Sequence, residues 1–152
     1  MLTAKVEQMF LGQYRHNLDA KGRLTIPARF REQLAEGAYL TQGFDRNLRL
    51  LTIMAFETTY QQVGQLSMTD PTVRELRRLL FANASLVEVD RIGRILVPQF
   101  LRSVAALNVE VVIVGVGEEI EIWSPEVWEE QDKILQDSGI NARRYTDLDV
   151  SI

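Results

Sequence analysis

A glycine is followed by an arginine at two places in this chain, and both pairs close the same short motif, Asp-x-x-Gly-Arg. The residues are Asp19, Gly22 and Arg23 in the first motif and Asp90, Gly93 and Arg94 in the second. An aspartate in this position can accept backbone N–H groups across a turn, and a glycine allows the positive φ that a tight turn requires. The arginine then leaves a rigid turn, and we expect it to emerge at the most exposed point. Its planar guanidinium is suited to binding phosphate or to reading guanine through O6 and N7.

The two motifs belong to a longer internal repeat. Residues 18–31 return 71 positions later as residues 89–102, with five of fourteen positions identical and four more exchanging one apolar residue for another. The similarity continues at an offset of 72, where Leu40 aligns with Val112, which suggests a single inserted residue. Each repeat therefore predicts the order strand, turn, strand, short helix, strand, turn, strand, helix.

Local patterns support these elements and divide the chain. Apolar residues alternate in the strand after each turn, and Pro27 and Pro98 stand where a strand ends and a helix can begin. Two linking helices are predicted, over 55–66 and 70–82, and residues 141–152 are expected to form a loosely ordered tail. The predicted domains are a first repeat at 1–54, linking helices at 55–84, a second repeat at 85–128, and a C-terminal helix and tail at 129–152.

Composition excludes several classes of protein. The chain has 152 residues, 46% hydrophobic and 25% charged, as in soluble globular proteins. It has no cysteine, which excludes disulfides and thiolate metal sites and fits a cytoplasmic protein. No apolar run is long enough to span a bilayer, and the N-terminus does not resemble a signal peptide. No nucleophile–base pair or His-based metal cluster stands out, so we expect no enzyme activity, cofactor, metal or membrane partner.

Charge is distributed unevenly, and this favours the first turn as a site for nucleic acid. The net charge is −4, but residues 1–82 carry eleven basic against eight acidic residues, and residues 83–152 carry six against thirteen. The candidate DNA-binding residues are Arg15, Lys21, Gly22, Arg23 and Arg29, with Asp19 and Pro27 shaping the turn. The second motif (Asp90, Arg91, Gly93, Arg94) is expected to be mainly structural. In the alternative interpretation, Arg23 and Arg94 pair with Asp90 and Asp19 across a pseudo-two-fold axis and join the repeats.

The double motif also identifies a family. Asp-x-x-Gly-Arg-ϕ-x-ϕ-Pro, with ϕ apolar, resembles the DNA-binding module of the AbrB/SpoVT superfamily, and two copies preceded by Met9-Phe10-Leu11-Gly12 resemble the MraZ family. The resemblance covers about residues 9–140, so residues 1–8 are an extension or follow a misassigned start codon. Ile92, opposite Lys21, departs from the motif of the first repeat.

The resemblance implies an α+β fold in which tandem SpoVT-AbrB-type repeats form an intrachain swapped-hairpin (double-split) β-barrel with flanking helices. It implies a nucleoid-associated transcriptional regulator that binds double-stranded DNA at its own promoter and controls the division and cell-wall gene cluster. Family members assemble into rings, so we expect a homo-oligomer that reads short direct repeats.

Two other functions remain open. One is an antitoxin-like AbrB-fold protein, although such proteins usually carry one motif and a long disordered tail. The other is a ring-forming scaffold that binds proteins, which is consistent with the sequence pI of 5.1. Salt dependence separates the scaffold from a DNA-binding protein, because binding to several phosphates weakens steeply as salt rises.

Overall fold

The computed structural model describes residues 9–151, so the predicted N-terminal extension lies outside the described residues. Within that range there are eight strands: β1 (Phe10–Asn17), β2 (Arg23–Thr25), β3 (Ala38–Gln42), β4 (Leu48–Thr52), β5 (Ser85–Val87), β6 (Arg94–Leu96), β7 (Glu110–Gly117) and β8 (Ile120–Trp123). The α-helices of the same range are α1 (Ala28–Arg31), α2 (Ile53–Gly64), α3 (Pro71–Arg77), α4 (Gln99–Val104), α5 (Pro125–Leu135) and α6 (Ser138–Arg144). This order confirms the one predicted for each repeat.

The strands of the two repeats interleave. Six form an antiparallel sheet in the order β1-β7-β8-β4-β3-β5, and β2 pairs with β6 in a separate antiparallel ribbon. Every strand of the first repeat (β1–β4) thus pairs with a strand of the second (β5–β8). If each strand is replaced by its counterpart in the other repeat, the strand order is the same when read from the opposite edge of the sheet. This symmetry indicates an internal pseudo-two-fold axis. The α+β class is confirmed. The pairings of residues 9–151 leave β1 and β5 at the edges of the sheet, so no closed barrel is found.

The pairing register corrects the sequence alignment of the repeats. Leu40 lies opposite Leu50 in the first hairpin, and the residue opposite Ile122 in the second hairpin is Ile113. The structural counterpart of Leu40 is therefore Ile113 and not Val112, because two residues are inserted before β7 and one is lost within the hairpin. A shift of one residue moves a side chain to the other face of a sheet. Val112 accordingly packs with Trp123 and Trp128, away from the main core.

Capping explains where the helices begin. The Thr52 hydroxyl accepts a hydrogen bond from the Ala55 amide at 3.1 Å, so α2 begins two residues before the predicted start. Asp70 caps α3 at the start of the predicted helical range, and the helix continues as a π-helical segment, Arg78–Ala82. The expectation of a loosely ordered tail from residue 141 was wrong for α6. The Asp137 carboxylate accepts from the Ile140 amide at 3.1 Å and caps this additional helix.

The main core joins the repeats and packs against the β2–β6 ribbon. Leu24 at the centre of β2 faces Ile95 at the centre of β6, and both side chains are fully buried. They pack in one apolar cluster with residues of both hairpins, including Leu40 and Ile113. Because alternate residues of a strand face opposite sides, the flanking residues of the ribbon, Arg23 among them, lie on its outer face. The core therefore holds both arginine-bearing strands at the surface.

Candidate nucleic-acid interface

The first turn is built as its residue types predict. One carboxylate oxygen of Asp19, Oδ1, accepts hydrogen bonds from the backbone amides of Lys21 and Arg23, both at 2.9 Å. Gly22 has φ of +83°, a backbone conformation that residues with a side chain rarely adopt. Its amide also donates to the Asp19 carbonyl at 3.0 Å. The predicted aspartate-capped turn is confirmed, and it fixes where Lys21 and Arg23 begin.

The second turn repeats this geometry. Asp90 Oδ1 accepts from the amides of Ile92 at 3.1 Å and Arg94 at 2.8 Å, and Gly93 has φ of +89°. The two turns differ at their tips, where the first has Ala20-Lys21 and the second Arg91-Ile92. Each tip thus displays one exposed cation, at positions that differ by one residue.

The two arginines are held by carboxylates and do not extend freely into solvent. Arg23 Nε donates to Asp19 Oδ2 at 2.8 Å, and Arg94 Nε donates to Asp90 Oδ2 at 3.0 Å. Their side chains are 34% and 25% exposed, so the expectation that they emerge at the most exposed point of the turn was wrong. The cause is local, since the aspartate four residues earlier lies within reach of the first strand residue. Among the hydrogen bonds of residues 9–151, neither arginine donates one from an Nη atom, so these N–H groups are available to another acceptor.

One ion pair crosses between the repeats. Arg94 Nη1 lies 3.6 Å from Asp19 Oδ2, while among residues 9–151 the opposite pair, Arg23 with Asp90, does not form. The alternative interpretation of the arginines as links between repeats is therefore correct for Arg94 alone. Asp19 receives both guanidinium groups and so couples the two turns.

Hydrogen bonding keeps both aspartates ionised. The backbone hydrogen bond from Arg23 lowers the pKa of Asp19, with its side chain and the Lys21 amide acting in the same direction. The backbone hydrogen bond from Arg94 likewise lowers the pKa of Asp90. A carboxylate that accepts several donors favours its charged form. The same hydrogen bonds that shape each turn therefore favour the ionised aspartate.

The ribbon register divides the predicted DNA-binding set between two places. Thr25, at the end of β2, pairs with Arg94 at the start of β6, so helix α1, which follows β2, begins beside the second turn. Arg29 of α1 therefore lies at the second-turn end, and its Nη1 donates to the Tyr14 hydroxyl at 3.1 Å. Grouping Arg29 with the first turn was wrong, because proximity along the chain was taken for proximity in space. Pro27 is buried and directly precedes α1, as its structural role requires.

Of the remaining predicted cations, only one is unpaired at the first turn. Lys21 is exposed at its tip and makes no salt bridge among the residues that the structure describes. Arg15 pairs with Glu110 across β1 and β7 at 2.8 Å. Both members of that pair are more than half exposed, so the pair is weak.

Sequence reasoning missed the arginine that ends each copy of the repeat. Arg102 Nε donates to the Val97 carbonyl at 3.0 Å, and its guanidinium lies against Gly22 of the opposite repeat. Arg31 Nε donates to the Ile26 carbonyl at 2.9 Å, and its guanidinium lies against Gly93. The signal was present in the sequence, because this arginine is one of the five identical positions.

The surroundings of the two turns differ in polarity. Leu96, which pairs with Arg23 in the ribbon, and Phe100 on α4 are both exposed near the first turn. Their counterparts beside the second turn are the polar Thr25 and Arg29. The first-turn end therefore combines cations with apolar side chains, whereas the second-turn end is more uniformly polar.

The described residues show neither a metal site nor a membrane-spanning helix. Across residues 9–151, no group of three acidic, histidine or cysteine side chains is arranged to hold a metal ion. Nor does that part of the chain contain a helix with the length and apolar character needed to cross a membrane.

The chain is similar to known proteins along nearly its whole length. The family model described as "MraZ protein, putative antitoxin-like" matches twice, at residues 9–79 and 80–149. A protein of Thermomicrobium roseum named Transcriptional regulator MraZ is 47% identical over 131 residues, which cover 86% of this chain and 92% of the relative. Proteins of the same name from Dictyoglomus thermophilum and Finegoldia magna are 48% and 41% identical, covering 82% and 92% of this chain and 86% and 94% of the relatives.

Proposed function

This chain belongs to the MraZ family, and we propose that it regulates transcription by binding double-stranded DNA through the β2–β6 ribbon. The relatives that share its length and both repeats carry the name of transcriptional regulators. The major groove of B-DNA is wide enough to admit a two-stranded β-ribbon. The proposal therefore assigns the reading element to the one ribbon that stands apart from the main sheet of residues 9–151.

The observation that carries the proposal is the carboxylate-held arginine on this ribbon. Asp19 engages only the Nε of Arg23, at 2.8 Å, which leaves the two Nη groups to make a bidentate contact with guanine or phosphate. A guanidinium already fixed in direction loses less freedom on binding than a mobile one. Lys21 at the turn tip supplies a phosphate contact, a role that Ile92 cannot fill in the second turn.

We assign supporting roles to the other cations. Arg15 is exposed beside β7 and can exchange its pair with Glu110 for a DNA phosphate. We propose that Arg29 and Arg91, at the second-turn end, contact the DNA backbone further along the duplex, and that Arg94 chiefly joins the turns. Phosphate contacts of this kind fix orientation, whereas base contacts give specificity.

The finer proposals concern the operator and the assembly. We propose that the repeats complete a swapped-hairpin β-barrel, that subunits join head to tail in a ring, and that the operator consists of short direct repeats. A ring presents the same ribbon repeatedly in one sense, which matches direct repeats and not palindromes. Linked sites gain avidity, so each ribbon can bind weakly. The operator is proposed to lie upstream of the protein's own gene in the division and cell-wall cluster.

Binding to that upstream DNA tests the proposal. Fluorescence anisotropy would compare the wild type with Arg23→Ala, Lys21→Ala and the control Arg78→Ala, which removes an exposed cation from the linking helices. Loss of one bidentate contact costs about 1–3 kcal/mol, roughly 5- to 150-fold in Kd. Lys21→Ala should weaken operator and scrambled DNA alike and reduce the salt slope by about one unit.

Two results would overturn the proposal. The first is an Arg23→Ala variant that binds the operator as tightly, and with the same salt slope, as Arg78→Ala. The second is a wild-type protein whose binding does not respond to salt, as a protein-binding scaffold would behave. A probe with one repeat should bind more weakly than a probe with several, and equal affinity for both would refute the multivalent assembly.

A further inference from the structure

Each turn is completed by an arginine from the other repeat. The Val97 amide donates to the Gly22 carbonyl at 2.9 Å, and the Val97 carbonyl accepts from Arg102 Nε at 3.0 Å. The Arg102 guanidinium lies so close to Gly22 that a Cβ there would be 2.9 Å from Cζ. Gly22, Val97 and Arg102 thus form a closed set of contacts that holds the first turn against the end of β6.

The same set exists at the other end of the ribbon. The Ile26 amide donates to the Gly93 carbonyl at 2.8 Å, the Ile26 carbonyl accepts from Arg31 Nε at 2.9 Å, and the Arg31 guanidinium occupies the space that a Cβ on Gly93 would take. The glycine of each turn therefore serves two purposes. It adopts a positive φ, and it makes room for a guanidinium of the other repeat.

We infer that Arg102 and Arg31 are positioning residues, each holding the turn of the opposite repeat in the conformation that presents its arginine. The positioning itself follows from the contacts alone. Its role in presenting an arginine to DNA rests on the proposed function. Positioning of this kind predicts a crossed dependence, in which the first turn relies on Arg102 of the second repeat and the second turn on Arg31 of the first.

A direct phosphate contact is the competing role for Arg102. Among the hydrogen bonds of residues 9–151, the Nη atoms of Arg102 donate none, so its charge is available at the first-turn end. Substitution by lysine separates the two roles, because lysine keeps the charge but has no planar group to cover Gly22. A positioning role predicts that Arg102→Lys behaves like Arg102→Ala, whereas a charge role predicts that it behaves like the wild type.

Amide hydrogen exchange of the free protein tests the inference without DNA. The reporters are the amides of Lys21 and Arg23 for the first turn, and of Ile92 and Arg94 for the second, all of which donate to the turn aspartates. Loss of a hydrogen bond from a charged group should speed exchange about tenfold or more. Arg102→Ala and Arg102→Lys should do this at the first turn only, and Arg31→Ala at the second turn only, while Arg78→Ala changes neither.

Exchange that rises equally at both turns, at neither turn, or only at the turn of the mutated repeat would overturn the inference, as would wild-type exchange in Arg102→Lys. If Arg102→Ala does not fold, Arg102→Lys keeps the aliphatic stem and still gives the measurement. Operator binding supplies the second readout, where Arg102→Lys should lose about tenfold in affinity with an unchanged salt slope. A protein that shows crossed exchange but no salt-sensitive DNA binding would refute the proposed function and leave the positioning role standing.

Discussion

Asp19→Asn separates the positioning of Arg23 from the charge of the turn. The asparagine Oδ1 can still accept the amides of Lys21 and Arg23, so the turn itself should persist. In the wild type, Asp19 Oδ2 accepts a hydrogen bond from Arg23 Nε at 2.8 Å and lies 3.6 Å from Arg94 Nη1. In the variant, the amide NH2 of the asparagine, which is a donor, replaces this oxygen. Two donors cannot bond to each other, so Arg23 is released while the backbone stays in place.

The expected magnitude follows from what is released. An arginine side chain has about 2 kcal/mol of rotamer entropy, and a freed Arg23 must lose that freedom on binding, which weakens operator affinity by up to roughly 30-fold. Removing a negative charge acts in the opposite direction, because it favours approach to phosphates and strengthens binding to any DNA sequence. The ratio of operator to scrambled affinity isolates the first effect, since the second applies to both probes.

Fluorescence anisotropy at constant salt with the two duplexes measures this ratio. Asp90→Asn is the matched control, because Asp90 makes the same three hydrogen bonds in the second turn. We expect the ratio to fall by about tenfold or more in Asp19→Asn and to change by less than about twofold in Asp90→Asn. An Asp19→Asn protein that binds both probes more tightly, in an unchanged ratio, would show that Arg23 needs no orientation by its carboxylate.

The remaining predictions concern stability. Thr41→Val removes the buried hydroxyl that donates to the Leu80 carbonyl at 2.6 Å, and should cost about 1–3 kcal/mol in urea unfolding; an unchanged midpoint would contradict the role of this bond. Burial raises the pKa of Glu121, so the ionised side chain destabilises the folded protein at neutral pH. Glu121→Gln should therefore raise Tm at pH 7. The increase in Tm should vanish below about pH 4.5, where the carboxyl is protonated in the folded and the unfolded chain. The pKa values of Asp19 and of the second-turn aspartate are lowered in the folded protein, so their ionised carboxylates stabilise the fold above the ordinary pKa near 3.8. This stability should be lost as the pH falls further. The loss should be smaller in the variant with asparagine at both positions. Arg94→Ala should lower Tm more than Arg23→Ala does, because only Arg94 contacts both turns; the reverse order would contradict this assignment.

Local chemistry predicted the parts of the site that depend on neighbours in sequence. The aspartate cap of each turn and the positive φ of Gly22 and Gly93 follow from residue type alone. The capped start of α5 is equally local, with Ser124 accepting from the Val127 amide at 3.3 Å and Pro125 in the first helical position. These features were predictable because the atoms involved lie within four residues of each other.

Features that depend on pairing between the repeats could not be read from local patterns. Arg29 follows the first motif in the chain but lies at the second-turn end, because β2 and β6 run antiparallel. The partner of Arg15 is Glu110, 95 residues away. The register of β1 with β7 places Glu110 opposite Asn17, two residues along the strand from Arg15, so this pairing depends on the sheet and not on the local sequence. The alignment of Leu40 failed for the same reason, since hairpin lengths in the two repeats differ by a residue that only the pairing reveals.

The contacts explain why the two copies of the motif are identical at some positions and different at others. The arginine at the end of one copy lies on the glycine of the other, and Asp19 of the first copy receives Arg94 of the second. A residue in this junction serves both turns, so a change in one copy would disturb the other. The tips carry no such constraint on their side chains, because those of Lys21 and Ile92 are exposed. The pseudo-two-fold junction thus fixes the shape of both turns. Outside it the two copies differ at the tips and at flanking positions, where Leu96 and Phe100 of one end correspond to Thr25 and Arg29 of the other. Under the proposed function, we expect any difference in DNA contact between the turns to arise at these positions.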